Sequence, residues 1–234
     1  MKKIASIFIL GAFAASMSVA PARLFAQAPV APFEGTITFS VSVPQLGDDK
    51  LMMMTSMKGH KAATTIDMGA MGSQHMYMDR DKRTLAMVTG EAKTGLEMDL
   101  PNDTAGSSDK TGELVATGKS ETINGYKAQE FTATSKAGSL DIWATADLPE
   151  GVRNGMIESM KNNPQSGGSK AFSSLITKGL APVRITIITG GQTAATLDLV
   201  KFEQHSVSDA ELVPAPDVKI THKTMQEMMR GGQN

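Results

Sequence analysis

Phe33-Glu34-Gly35-Thr36-Ile37-Thr38-Phe39-Ser40-Val41-Ser42-Val43-Pro44 is the stretch that decides the fold class. Phe33, Gly35, Ile37, Phe39, Val41 and Val43 alternate with Glu34, Thr36, Thr38, Ser40 and Ser42. A period of two places the first set on a buried face and the second on a wet one, the pattern of an antiparallel strand rather than of a strand covered on both sides. Pro44 has no N–H to continue the ladder and ends the run. Downstream, similar alternation recurs at Ala62 to Met68, at Met76 and Met78, at Leu96, Met98 and Leu100, and at Leu140, Ile142 and Ala144. It returns at Val183, Ile185 and Ile187 and again at Ala195, Leu197 and Leu199. Past Leu199 the apolar phase slips, so that Val200 and Phe202 take the buried parity, and a bulge or a change of face is expected there.

Turn chemistry separates these runs at hairpin spacing: Lys58 to His60, Arg80 to Lys82, Asn124-Gly125, Lys136 to Gly138 and Gly190-Gly191. Asn124-Gly125 and Gly190-Gly191 supply the positive φ angles that two-residue hairpins need. Two helices interrupt the meander. Asp147 and Glu150 are spaced as a capping pair, and Val152, Met156, Ile157 and Met160 share one helical face before Asn162-Asn163-Pro164. A second helix is expected from about Ser169 to Lys178, burying Phe172, Leu175 and Ile176 and ending at Gly179 in a left-handed cap. Gln165 to Gly168 reads as a joint and Pro101 to Gly112 as a polar loop. The expected architecture is mainly β (α+β): a curved antiparallel sheet, an unclosed barrel of about ten or eleven strands, with two or three covering helices.

In the other direction from Phe33, the first 26 residues read as a secretory signal. Lys2 and Lys3 form a positive start, Ile4 to Ala20 is apolar and uncharged, and small residues follow. Cleavage is expected after Ala26, with Ala22 or Ala28 as alternatives. The sequence contains no cysteine, so neither a lipid-modified cysteine nor a disulfide is available. The expected product is periplasmic and lacks a transmembrane segment. The domain plan is residues 1–26 signal peptide, 27–32 flexible flank, 33–220 one half-barrel domain, and 221–234 a tail with a short helix around Met225 to Met229. Losing Lys2, Lys3 and Arg23 lowers the 23 basic residues by three against 24 acidic ones and moves the formal charge from −1 to −4. That balance, with no basic stripe, excludes nucleic acid as the expected partner.

The run Glu121-Thr-Ile-Asn-Gly-Tyr-Lys-Ala-Gln-Glu-Phe131 resembles a signature of a family of exported bacterial proteins of unknown function. Asp141-Ile-Trp-Ala-Thr-Ala-Asp-Leu148 is similar to that family's tryptophan strand and the helix after it. Gly179-Leu-Ala-Pro-Val-Arg184 is similar to its glycine-x-proline lead into the next strand. The likeness spans about Phe33 to Pro214. Many members carry a cysteine where this chain has Ala128, so no redox or metal chemistry is carried over. The resemblance implies a relative of the periplasmic lipoprotein carriers, an open barrel wrapped round helices or a guest.

The 17 methionines admit three readings. They fill a core in place of leucine, they form a pliable apolar wall that repacks round different guests, or they bind Cu(I) through soft thioethers. Period two points His75 away from Met76 and Met78, which weakens the metal reading. Trp143 and Tyr126 read as sheet anchors. His60, His75, His205 and His222 are scattered, Asp79 and Asp81 flank a turn, and Gly167-Gly168-Ser169-Lys170 lacks the rest of a phosphate cradle. No catalytic residue, cofactor or metal ligand set is therefore expected. The leading reading is a non-catalytic carrier for a hydrophobic small molecule or lipid, or for an exported protein. Its expected concavity is lined by Met76, Met78, Met98, Leu140, Met156 and Met160. The alternatives are a Met-rich Cu(I)-handling protein and an envelope structural or stress protein that acts through protein contacts.

Overall fold

In the computed structural model, residues 33–47, 49–69, 72–89, 93–100, 113–135, 138–161, 170–224 and Glu227 are described. The expected signal peptide, the polar loop at 101–112, the joint at 165–168 and the methionines of the expected terminal helix lie outside them. Among the described residues, twelve strands make one unclosed curved sheet, covered by two helices. The strand count exceeds the expected ten or eleven.

Two meanders build the sheet. β1 (Gly35–Ser42), β2 (Lys50–Lys58), β3 (Lys61–Asp67), β4 (Ser73–Asp79), β5 (Thr84–Thr89) and β6 (Thr94–Asp99) follow one another outward from the centre. β7 (Val115–Ile123), β8 (Tyr126–Ser135), β9 (Gly138–Thr145), β10 (Ala181–Thr189) and β11 (Gln192–Gln204) return from the far edge until β11 pairs with β1. These neighbours are antiparallel, as the alternation in β1 requires. β12 (Lys219–His222), absent from the sequence reading, lies parallel to β6. A parallel partner needs a long crossover, and the segment after β11 supplies it. Lys58 Nζ donates to Val207 O at 3.2 Å and pairs with Asp209 at 2.9 Å, while Val207 and Leu212 are buried.

Turn chemistry sets the register. Asn124 and Gly125 have φ of 50° and 86° and Gly190 and Gly191 of 60° and 77°, the geometry of two-residue hairpins whose twist matches the strands they join. The slip past Leu199 is a bulge, with Thr38 opposite Lys201 and Phe39 opposite Leu199. Phe202 takes the inner parity opposite Ile37, but Val200 is 50% exposed and does not share that buried parity. The extra residue of a bulge is left unpaired and turns outward.

Between β9 and β10 the chain leaves the sheet to form α1 (Glu150–Lys161) and α2 (Lys170–Thr177), close to the expected spans. Val152, Met156 and Ile157 are buried from α1, and Phe172 and Leu175 from α2. They join Ile37, Phe39, Phe131, Ile142, Val183, Ile185 and Leu199 in one core on the inner face of the sheet. Gly179 has φ of 65° and donates to Ile176 O at 2.8 Å, while Leu180 N donates to Leu175 O at 3.0 Å, the left-handed cap expected there. The start of α1 differs from expectation. Asp147 lies ahead of the helix and its carboxylate accepts from Lys127 N at 3.2 Å, so it ties β8 to the β9–α1 connection instead of capping. Arg153 fastens the same connection by donating to Ala146 O and Leu148 O.

Candidate functional site

Inward rows of side chains cross the first meander. One runs Ile37, Thr55, Thr64, Met76, Met87, Leu96 from β1 to β6. A neighbouring row runs Gly35, Met57, Ala62, Met78, Leu85, Met98. Each row is set by hairpin register. The two-residue turn at Gly59 and His60 pairs Lys58 with Lys61, which forces Met57 opposite Ala62 and Thr55 opposite Thr64. Such cross-strand neighbours have Cβ atoms about 4.5–5.5 Å apart, so a row is a continuous wall.

Over these rows lies α1, and between wall and helix is a cavity of about 70 Å³. It is lined by Ile37, Phe39, Met53, Thr55, Ala62, Thr64, Met76, Met78, Leu85, Met156 and Met160. Among the described residues, five thioethers face this space and no charged side chain does. A single water needs roughly 10–15 Å³ of such volume, so the space exceeds an ordinary packing defect, yet a drug-sized ligand needs about 300 Å³ or more. The concavity is thus largely filled by α1, with a gap left where methionines meet. Unbranched side chains with three rotatable bonds can widen such a space without moving backbone.

Of the six residues expected to line one concavity, Met76, Met78, Met156 and Met160 come together here. Met98 sits beyond Leu85 at the β6 end of its row and is buried outside the lining. Leu140 belongs to the second meander, opposite Ile187 and Ala133, where it packs half-buried against the core. The sequence reading missed Met53, Thr55 and Thr64. Their signal was the Gly59 turn, which fixes their parity once Met57 and Ala62 are paired. Met54, by the same parity, points outward and is 44% exposed.

His75 lies on the outer face, as alternation demands. Thr65 Oγ1 is 3.0 Å from its Nδ1, and its ring stacks on Tyr77 at 6.5 Å and 22°. Burial raises the Tyr77 pKa above its ordinary value. The other histidines occupy the surface: His60 pairs with Asp81 at 2.7 Å, His205 meets Thr36 at 3.0 Å, and His222 lies 3.4 Å from Glu97 and 3.5 Å from Asp99. Asp79 accepts from Lys82 N across the turn at 3.0 Å. Among the described residues, no group of three histidine, aspartate or glutamate side chains is placed to hold a metal ion. Trp143 and Tyr126 pack half-buried against the core. Among the described residues, no helix is long and apolar enough to cross a membrane.

A comparison with curated proteins gave no match. Among solved structures, an uncharacterised conserved protein from Thermus thermophilus is similar at TM-score 0.51 and 9% identity, covering 81% of this chain and 91% of that one. That likeness is one of fold. PNGF-II is similar at TM-score 0.48 and 11% identity over 85% of this chain; the match spans 33% of PNGF-II, about a third of its length. A LolA superfamily protein from Nitrosomonas europaea is similar at TM-score 0.35 and 12% identity, over 80% of this chain and 92% of that one. The sequence itself matches a family profile over residues 33–217, which takes in eleven of the strands, both helices and the whole cavity lining. The chain belongs to the family of the domain of unknown function DUF4412.

Proposed function

We propose that this protein is a non-catalytic carrier that takes a hydrophobic guest between α1 and the inner face of β1 to β5, in the periplasm after export. The observation that carries the reading is the composition of the cavity wall: of the eleven described residues that line it, nine are apolar, and five of those are methionines from β2, β4 and α1. A wall of that kind fits chains of varied shape because thioethers repack at low cost. The guest would displace Met156 and Met160 as it enters, since the space left by the closed helix is smaller than a lipid chain.

Gentle purification of the exported protein, native mass spectrometry and solvent extraction test the reading together. A stoichiometric extra mass that extracts as lipid is expected, and Met76→Glu is expected to abolish it while the far-ultraviolet spectrum stays that of a sheet protein. Guest-free protein that also fails to take up lipid on titration would contradict the proposal.

A second reading draws on the same five sulfurs, because thioethers are soft enough to prefer Cu(I). It predicts that the protein withholds Cu(I) from a chelator more strongly than free methionine does, and that Met53→Leu with Met76→Leu removes this. Affinity equal to free methionine removes the copper reading and leaves the carrier reading intact.

A further inference from the structure

Among the described residues, Thr55 and Thr64 are the polar members of the cavity lining. They face each other across β2 and β3, with their Oγ1 atoms 3.0 Å apart. A hydroxyl has one proton to donate and two lone pairs to accept with. In the bond between them one proton is used and the other is left over. Neither hydroxyl makes another hydrogen bond among the described residues. The surplus donor therefore stands at a wall whose other members are Ile37, Phe39, Ala62, Leu85 and methionines. The pair is partly buried, so a donor left unmatched there carries part of the desolvation cost of a buried one, and a guest that brings an acceptor removes it.

Charge narrows the class further. Among the described residues, no lysine, arginine or histidine lines the cavity, so none of them offers a carboxylate a counter-ion, and an apolar wall does not return the cost of burying that charge. Resting on the carrier reading above, we infer that the guest is a neutral alkyl chain bearing a carbonyl acceptor, an ester or an amide, docked on the Thr55–Thr64 pair. Esters and amides of fatty acids share this chemistry whether they come from a free lipid or from an acylated protein.

Short guests demand the least widening of the cavity by Met156 and Met160 and separate the two claims. Methyl pentanoate, hexane and hexanoate, each at pH 8, are titrated into the wild-type protein, into Thr55→Val/Thr64→Val and into Thr55→Ser/Thr64→Ser. Valine keeps the branched shape and removes the hydroxyls; serine keeps them. The double valine variant is expected to bind methyl pentanoate about three- to tenfold more weakly than wild type. Its hexane affinity is expected to be kept or to rise, since two methyl groups replace two hydroxyls in the wall. The serine variant is expected to retain the ester affinity, and hexanoate to bind at least about tenfold more weakly than the ester.

Equal losses for ester and hexane, or no loss for either, would overturn the threonine assignment while the carrier reading stands. Hexanoate binding as well as the ester would overturn the neutral-guest claim. If neither hexane nor ester binds the wild-type protein, the carrier reading falls and this inference with it.

Discussion

Thr38 carries a hydroxyl buried with no partner among the described residues, on the face of β1 opposite Ile37 and Phe39. A buried hydroxyl without a bond costs about 1–3 kcal/mol relative to an apolar group of the same shape. Thr38→Val is therefore expected to raise stability by about 1 kcal/mol, seen as a melting temperature about 2–4 °C higher; a lower one would mean that the hydroxyl is bonded. Met156 tests the opposite face. It is fully buried against the cavity, so Met156→Ala should cost about 2–5 kcal/mol in the absence of guest. If the space accepts guests, hexane should restore part of that loss in a thermal melt. Residues of this kind divide sharply in legibility. The parity of His75 against Met76 and Met78 was readable because a strand alternates strictly. The role of Thr55 and Thr64 was not, because the unbroken Met52-Met53-Met54 run hides which face is apolar until the hairpin register is known.

α1 covers the cavity with Met156 and Met160 and packs beside Phe33. A Cβ built on Gly155 would lie 3.0 Å from Phe33 Cβ, so Gly155→Ala forces the helix or Phe33 to give by a few tenths of an ångström, a strain of about 1–3 kcal/mol set against about 1 kcal/mol gained in helix propensity, for a net loss of at most about 2 kcal/mol. Hydrogen exchange should show protection falling within residues 150–161 while β9 and β10 keep theirs. At the sheet edge, β7 is held to β8 through Glu130, which pairs with Lys119 at 2.9 Å and accepts from Thr117 Oγ1 at 2.7 Å. The bonds from Lys119 and Thr117 hold its carboxyl below the usual carboxylate range. A depressed folded pKa contributes stability that is present above the unfolded value and lost as pH falls through the folded one. Urea unfolding should therefore steepen in its pH dependence below about pH 4.5, and Glu130→Gln should flatten that dependence. Both helices were legible from their apolar spacing and from Gly179. The helix start at Asp147 was misread because a carboxylate near a helix has competing donors, here Lys127 N. β12 was invisible because its partner, β6, is remote in sequence and its four residues carry no alternation of their own.

The molecule as a whole is two meanders that meet where β11 pairs with β1, and they do different work. The β7 to β11 half buries Ile142, Val183 and Ile185 under the helices, while the β1 to β5 half leaves the methionine-lined space. A sheet that stays open cannot fill itself, so helices or a guest must occupy its inner face; here α1 and α2 share it and leave a gap beside Met156 and Met160. Turn residues and alternation sufficed to read the open antiparallel sheet. They placed Leu140 and Met98 in the same concavity as Met76, because sequence parity says which face a residue joins and not which end of a twelve-stranded sheet it lies on.

Labelling the methionine methyl carbons and titrating methyl pentanoate tests whether the space beneath α1 binds. Saturable shifts at Met53, Met76, Met78, Met156 and Met160, with Met54 and Met98 unmoved, are expected. Shifts confined to the exposed Met54, or none that saturate, would contradict the carrier reading.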